Sequence, residues 1–147
     1  MVRIKGLPKK AFTLTELLIV VVILGILASI SIPRFFPQAE KSRVAEAIGI
    51  LSAIRQGEES YLLERGTYCK PAGGAPACAA GWGSLGMNDP NPPSRYFTYS
   101  VTDADATTFT AQAKRNGVND PNGYEDGTIE IDQAGTWDGT HPFVPAN

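Results

Sequence analysis

The fold of this chain is decided by one stretch, Phe12-Thr-Leu-Thr-Glu16-Leu-Leu-Ile-Val-Val-Val-Ile-Leu-Gly-Ile-Leu-Ala-Ser-Ile-Ser-Ile32. It contains 21 residues and a single charge, at Glu16. As a helix rising about 1.5 Å per residue it extends for about 30 Å, the thickness of the hydrocarbon core of a bilayer. Its β-branched residues favour a strand in water, but in lipid a helix satisfies every backbone polar group within one segment. The stretch therefore predicts a membrane-spanning helix.

The residues on the N-terminal side of this span are basic. Residues 1–11 carry four cations and no acid: Arg3, Lys5, Lys9 and Lys10. A basic flank stays on the cytoplasmic side of a membrane, so we expect the chain after the span to face outward. Glu16 is the second unusual feature, because a carboxylate within an apolar helix is unfavourable in lipid and is by default functional. The alternative is that Glu16 lies near the interface, where a charge is tolerated.

One protein family combines these features. The sequence Lys9-Lys-Ala-Phe12-Thr-Leu-Thr-Glu16-Leu, followed by Gly25 and Pro33 in the same apolar run, closely resembles the N-terminal signature of type IV pilins and type II secretion pseudopilins. In that family a prepilin peptidase removes the basic leader and methylates the new amino group. The resemblance implies cleavage between Ala11 and Phe12 and N-methylation of Phe12. The family nearly always has glycine before the cut, where this chain has Ala11, so we expect slower cleavage.

The resemblance also assigns roles within the helix. Glu16 corresponds to the family's assembly residue, which forms a salt bridge with the Phe12 amine of a neighbouring subunit. Pro33 corresponds to a helix-softening proline, and a proline inside a helix removes a hydrogen bond and kinks or breaks it. We expect the helix to resume at about Gln38.

The segment after the span predicts an amphipathic helix that ends before Gly66, a suitable C-terminal cap. Glu40 belongs to its polar remainder, and Glu58 interrupts its apolar face. The residues of that face are Val44, Ile48, Leu51, Ile54, Tyr61 and Leu62. The spacing follows one side of a helix, so we expect this half to pack on a domain.

The C-terminal part predicts antiparallel strands. Residues 96–102 and 107–114 alternate in polarity around a turn at 103–106, residues 128–132 form a third strand, and Trp137 begins a short fourth pairing. Arg115 to Gly127 is assigned to a polar loop. The predicted fold class is α+β, pilin-like, with one long helix packed on a small sheet of three or four strands. Its segments are a leader at 1–11, the transmembrane and assembly helix at 12–33, the amphipathic half at 34–66, a loop at 67–95 and the sheet domain at 96–147.

The loop at 67–95 contains both cysteines. In an exported chain an even count predicts a disulfide, here between Cys69 and Cys78. The same loop holds Gly81-Trp-Gly-Ser-Leu-Gly86, which matches a dinucleotide-binding pattern without the strand before it and the helix after it that the pattern needs. We interpret that match as chance. Trp82 is the one aromatic residue that we consider for a binding role, because its loop is expected to be exposed.

Composition argues against several functions. Residues 12–147 carry nine basic and fifteen acidic side chains, so we expect no direct nucleic-acid partner. One histidine, His141, cannot build a histidine metal cluster, and no catalytic triad motif is present, so an enzyme is not expected. We expect no cofactor and no metal. An oxygen-rich loop nevertheless supplies weak calcium candidates: Asn119, Asp120, Asn122 and Asp126.

The resemblance then implies the function. We expect a structural subunit of a type IV pilus, serving adhesion, motility or DNA uptake, that forms a helical homo-oligomer. Its further partners are the prepilin peptidase, an inner-membrane assembly platform and an assembly ATPase. The precursor belongs in the bacterial inner membrane and the product in an extracellular pilus. The alternatives are a pseudopilin in a periplasmic pseudopilus, or a membrane-anchored extracytoplasmic binding module that does not polymerise.

Overall fold

The computed structural model describes residues 12–93, 95–117, 120 and 123–147, without the side chains of 33–36. Helix α1 is Leu14–Arg65 and is followed by a short 3₁₀ helix, Gly81–Leu85. Four strands complete the fold: β1 (Phe97–Ala104), β2 (Phe109–Arg115), β3 (Thr128–Asp132) and β4 (Trp137–Asp138). This order of elements confirms the α+β class that the sequence predicts.

The chain divides into two compact units, one ending at Pro37 and the other comprising Gln38–Asn147. In the first unit every side chain from Phe12 to Ile32 is exposed. This part of α1 is long and apolar enough to cross a membrane. The helix is continuous through Pro33 and Pro37, so the expected resumption at about Gln38 is wrong for the secondary structure. A proline removes one hydrogen bond, and the turns on either side carry the helix past it. The role of Pro33 as a softening point stays a prediction.

In the second unit, α1 buries one continuous stripe. The buried positions follow a spacing of four and three residues: Glu40, Val44, Ala47, Leu51, Ile54 and Glu58. The apolar members confirm the predicted face, but Glu40 is not on the polar side and Glu58 does not interrupt the face. Both are buried within it. The helix ends where Gly66 adopts a left-handed conformation (φ 74°), and its N–H donates to the Leu62 carbonyl at 2.7 Å.

The sheet is an antiparallel meander in the order β1-β2-β3-β4. Its inward side chains alternate along each strand and share one core with α1: Phe97, Tyr99 and Val101, then Phe109, Ala111 and Ala113, then Ile129 and Ile131. The first turn lies at 105–108 rather than at 103–106. A bulge between Val101 and Asp103 lets β1 continue, and the Asp105 carboxylate then accepts the N–H groups of Thr107 and Thr108.

Asparagine side chains occupy both edges of the sheet. On β1, Asn91 Oδ1 accepts the Tyr99 N–H at 2.6 Å, and Asn91 Nδ2 donates to the Tyr99 carbonyl at 3.0 Å. On β4, Asn147 makes the same pair of bonds with the backbone of Trp137 at 2.6 and 3.0 Å. Each side-chain amide bonds the N–H and C=O of an edge residue as a residue of a neighbouring strand does. These backbone groups, left unpaired, promote strand pairing between chains.

The loop after α1 is tied down at several points. Cys69 and Cys78 form the predicted disulfide, and the Tyr68 N–H donates to the Asp105 carbonyl at 3.0 Å. The glycine-rich motif at 81–86 forms the 3₁₀ helix. The element before it is α1 and the element after it is β1, so the strand and helix that a dinucleotide site needs are not in place, and the match to that pattern is a chance one. Trp82 is 7% exposed and belongs to the core. Its expected exposure is therefore wrong, because the 3₁₀ helix turns this side chain inward.

Candidate functional site

The N-terminal turn of α1 is closed by a capping interaction. Thr13 precedes the first helical residue, and its Oγ1 accepts the backbone N–H of Glu16 at 3.2 Å. The same hydroxyl lies 3.4 Å from Glu16 Oε2, to which it donates. A Thr-x-x-Glu spacing is the sequence signature of a capping box, and a carboxylate in the first turn also complements the helix dipole. Glu16 thus has a local structural role in addition to the assembly role that the resemblance implies.

From Leu17 to Ile32 the surface of the helix is apolar except for Ser29 and Ser31. The large side chains from Leu17 to Ile32 are each about half exposed, between 48% and 60%. Such a surface can lie in lipid or against other apolar helices, and Glu16 is its one charge. Ala11 lies outside the described residues, so cleavage between Ala11 and Phe12 and methylation of Phe12 stay predictions, as does the intersubunit role of Glu16.

The start of the second unit is anchored by a buried ion pair. Glu40 on α1 accepts two hydrogen bonds from Arg115 at the end of β2, at 2.7 Å from Nε and 3.2 Å from an Nη. The Arg115 side chain is fully buried and Glu40 is 2% exposed. Arg115 also donates to the carbonyls of Tyr96 and Asn116. The assignment of Arg115 to a polar loop is wrong, because Glu40 provides a partner for its charge inside the core.

Two further groups surround this pair. Arg43 donates to Glu40 at 3.0 Å and lies over the Tyr96 ring, while the buried His141 places Nε2 3.4 Å from Glu40 Oε1. Burial alone raises the pKa of Glu40, but hydrogen bonds and charge from Arg115 and Arg43 outweigh it and hold this pKa below its ordinary value. Burial lowers the pKa of His141, against the opposing charge of Glu40. His141 is therefore neutral at pH 7.

Near the other end of α1 a second carboxyl is buried. Glu58 has no exposed surface, and its Oε2 accepts the Cys69 N–H at 3.0 Å. Its Oε1 has no hydrogen-bond partner among the residues that the structure describes. Burial raises the pKa of Glu58 to about 7, and the Cys69 hydrogen bond only partly opposes this shift. The sequence gives one signal for this group, an acid at a position of the apolar stripe.

Most cations of the second unit have an acidic partner. Among the residues that the structure describes, six of the unit's eight Lys and Arg side chains form ion pairs: Arg43–Glu40, Arg55–Glu59, Lys70–Asp103, Arg95–Glu46, Lys114–Asp126 and Arg115–Glu40. Lys41 lies over the Phe143 ring instead, 5.5 Å from its centroid. Acidic side chains outnumber basic ones in this unit, so its field repels polyanions.

The calcium candidates are only partly placed. Asn119 and Asn122 lie outside the described residues. Asp126 forms an ion pair with Lys114, with Oδ1 2.8 Å from Nζ. Asp120 is half-buried. The expectation of no cofactor stays a prediction.

Comparison with known families defines the class of this protein. Residues 8–32 match the model described as "Prokaryotic N-terminal methylation motif". The structure is similar to the non-core minor pilin PilV of Neisseria meningitidis, with a TM-score of 0.51 and 18% identity, over 74% of this chain and 93% of that one. The leader motif and the helix-on-sheet fold together are those of a type IV pilin.

The family itself follows from the second match. Residues 33–123 match the model described as "Type IV minor pilin ComP, DNA uptake sequence receptor", and this chain belongs to that family. It is 33% identical over 113 residues to the type IV major pilin protein PilE1 of Neisseria gonorrhoeae, covering 76% of this chain and 47% of PilE1. It is 45% identical over 56 residues to a fimbrial protein of Pseudomonas aeruginosa, covering 38% and 36%.

A secretion protein is also similar. The type II secretion system core protein G of Dickeya chrysanthemi is 31% identical over 85 residues, covering 58% of this chain and 51% of that protein. The chain thus spans between about a third and about half the length of these curated relatives. The relatives are structural pilins and a pseudopilin rather than enzymes, in agreement with the sequence expectation. The prepilin motif and the apolar helix fit a membrane-anchored precursor.

Proposed function

We propose that this protein is a structural subunit of a type IV pilus, and that it polymerises through residues 12–32 after cleavage between Ala11 and Phe12. The observation that carries the proposal is the helix surface itself. It consists of exposed apolar side chains from Phe12 to Ile32 with one carboxylate in the first turn. A water-exposed helix of this composition is unstable without an apolar environment, which lipid provides before assembly and neighbouring helices provide afterwards.

Cleavage creates the partner for Glu16. The new α-amino group of Phe12 is cationic at neutral pH, and it stands next to Thr13, the residue that caps α1. In hydrocarbon an unpaired ammonium and an unpaired carboxylate are both strongly unfavourable, so pairing between subunits fixes their axial register. Transfer of the apolar run from lipid to a helix bundle is close to neutral in hydrophobic free energy. Assembly therefore depends on an external platform and an ATPase.

A pseudopilin is the second candidate, supported by the likeness to the type II secretion core protein G. Both candidates use the same helix, leader and peptidase, and both begin as inner-membrane precursors. They differ in destination, because a pilus leaves the cell and a pseudopilus stays in the periplasm. An uncut leader favours the remaining alternative, an anchored module that does not polymerise. The pilus roles of adhesion, motility and DNA uptake differ in what the exposed surface of the filament binds.

DNA binding is suggested by the description of the matched family, a DNA uptake sequence receptor. The charges of this chain count against a receptor role. Phosphate recognition needs Lys and Arg side chains that are free to displace counterions, and six of these side chains in the second unit already contact carboxylates. We therefore propose that this subunit builds the filament and does not itself bind DNA.

The first test is the intact mass of the protein in filaments sheared from cells. The expected mass starts at methylated Phe12 and lacks two hydrogens for the Cys69–Cys78 bridge. Processed protein that stays with the cells supports the pseudopilin instead. Protein found only in membranes and still starting at Met1 refutes polymerisation and supports the anchored module.

The second test separates the two roles of Glu16. Gln at position 16 retains the capping box but removes the charge, whereas Ala removes both. We expect Glu16→Gln and Glu16→Ala to be membrane-inserted and processed, and both to yield few filaments. Glu64→Ala, on an exposed part of the same helix, is the control and forms filaments normally. Normal filaments from Glu16→Gln contradict the charge-pairing role.

A further inference from the structure

The Glu58 carboxyl is a buried acid to which the proposed function gives no role. It lies on α1 inside the core, fully buried, with Oε1 unpartnered among the described residues. A buried carboxylate oxygen without a hydrogen bond is strongly unfavourable, and a neutral carboxyl is the form that such a site favours. Packing alone does not require an acid here, because an amide of the same shape accepts the Cys69 N–H equally well.

What Glu58 faces is the disulfide. One Glu58 oxygen and the sulfur atoms of Cys69 and Cys78 all lie within 4.8 Å of one another, and all three residues are buried. Glu58 Oε2 accepts the Cys69 N–H at 3.0 Å, which fixes the carboxyl beside the bridge. Cys69 has no exposed surface, whereas Cys78 is 8% exposed. Because Cys78 is the more exposed of the two cysteines, we assign Cys78 as the sulfur that an incoming thiol attacks and Cys69 as the sulfur that leaves.

We propose that Glu58 is the proton donor and acceptor for opening and closing of the Cys69–Cys78 disulfide. In opening, the thiolate of a dithiol reductant attacks Cys78 Sγ, and a new S–S bond joins the reductant to Cys78. The Cys69–Cys78 bond breaks, its electron pair goes to Cys69 Sγ, and the Glu58 carboxyl gives its proton to that sulfur. In closing, Glu58 carboxylate takes the Cys69 proton as Cys69 attacks a mixed disulfide on Cys78 and expels the thiolate bound there.

The groups around the disulfide leave Glu58 as the one that exchanges a proton with Cys69. The raised pKa of Glu58, about 7, places it in the range where a carboxyl both gives and takes a proton. Of the charged neighbours, Arg55 is paired with Glu59 at 2.8 Å and Lys70 with Asp103 at 3.8 Å. Burial, with the charges of Glu59 and Glu58, raises the pKa of the nearby Tyr68, so this phenol stays protonated. Closing the bridge leaves Glu58 neutral, as its burial favours.

The test uses the full chain, oxidised and folded in detergent. Its disulfide is opened by dithiothreitol at a series of pH values, quenched by alkylation and followed by mass, and rates are divided by the thiolate fraction of the reagent. In the wild type the corrected rate is expected to fall as pH rises through the Glu58 pKa of about 7. Glu58→Gln, which keeps the hydrogen bond to Cys69, is expected to give a flat profile and a rate about tenfold lower at pH 6.

Two controls make the result decisive. Glu59→Gln removes the adjacent, half-exposed carboxylate and is expected to keep the wild-type profile. Glu58→Asp retains an acid and is expected to restore a pH-dependent rate. A flat wild-type profile overturns the proposal even if Glu58→Gln fails to fold. A Glu58→Gln rate that differs from wild type by the same factor at every pH also overturns it, since that pattern reports packing alone.

Discussion

Glu40 and Arg115, 75 residues apart in the chain, form a two-pronged ion pair in the core, with the Nε···Oε1 contact at 2.7 Å. The Arg115 side chain is fully buried and Glu40 is 2% exposed. The pair joins the first turns of α1 in the second unit to the last residue of β2. Because both charges are desolvated, each is tolerated only in the presence of the other.

Arg115→Met is therefore expected to destabilise the protein by about 3–5 kcal/mol, since it leaves the Glu40 charge buried with Arg43 as its remaining cationic contact. The double variant Glu40→Leu/Arg115→Met is expected to recover most of that loss, because it removes both charges. Lys114→Met is the control, since Lys114 is exposed beside Asp126 and its loss is expected to leave stability nearly unchanged. Chemical unfolding of the full chain in detergent measures all three. A double variant as unstable as Arg115→Met contradicts this account.

The sequence predicts the parts of this fold that have a local period. Alternation marks β1, β2 and β3, and the stripe through Val44, Leu51 and Ile54 marks the buried face of α1. Glu40 and Arg115 have no such signal, because each is buried on account of a partner distant in sequence. The burial of Trp82 has no local signal either, since a glycine-rich loop shows no period and the 3₁₀ turn fixes the direction of this side chain.

Residues 12–32 likewise combine features that the local sequence predicts with features that it does not. Its length, its single acid and its leader are local features, and they sufficed to identify the family. The Thr13 cap also has a local signal, the Thr-x-x-Glu spacing, whereas the role of Glu16 between subunits is implied by the family resemblance alone. What Glu58 contacts could not be read from the sequence, because the loop that brings Cys69 to it has no regular structure.

Gly57 and Gly49 are a matched pair on α1. A Cβ at Gly57 meets the Leu85 carbonyl oxygen at 2.7 Å and Leu85 Cβ at 2.8 Å, whereas a Cβ at Gly49 has nothing within 4 Å. Gly57→Ala is expected to destabilise by about 1–3 kcal/mol, because the 3₁₀ helix must move away from α1. Gly49→Ala is expected to stabilise by about 0.5–1 kcal/mol through helix propensity alone. Equal effects of the two substitutions in thermal unfolding contradict this close approach.

Calcium is expected to leave the protein unchanged. The Asp126 carboxylate is already paired with Lys114, and the oxygen-rich loop lacks the regular alternation of a calcium motif. The melting temperature of the full chain in detergent is measured with calcium and with a chelator. A ligand that binds only the folded state raises the melting temperature with concentration, so a rise with added calcium contradicts the expectation. Lys114→Met is a useful comparison, because it frees Asp126.

The pH dependence of stability separates Glu58 from the cluster around Glu40. The pKa of Glu58 rises from 4.5 to about 7 on folding, so its protonated form favours the native state below pH 4.5, and this contribution is lost as pH rises through 7. The pKa of Glu40 and that of His141 are lowered in the fold, so their contributions are present above their unfolded values and are lost as pH falls.

Glu58→Gln removes the pH dependence of stability that comes from Glu58 and leaves the one that comes from Glu40 and His141. Between pH 5 and pH 8 the free energy of unfolding of the wild type is expected to fall by about 2.5 kcal/mol relative to Glu58→Gln, because each pKa unit corresponds to about 1.4 kcal/mol. Below pH 4.5 both proteins lose stability in parallel as Glu40 takes up a proton. Denaturant unfolding of the two proteins across this pH series measures the difference. A constant difference between them means that Glu58 does not change its proton on unfolding, which contradicts the burial argument.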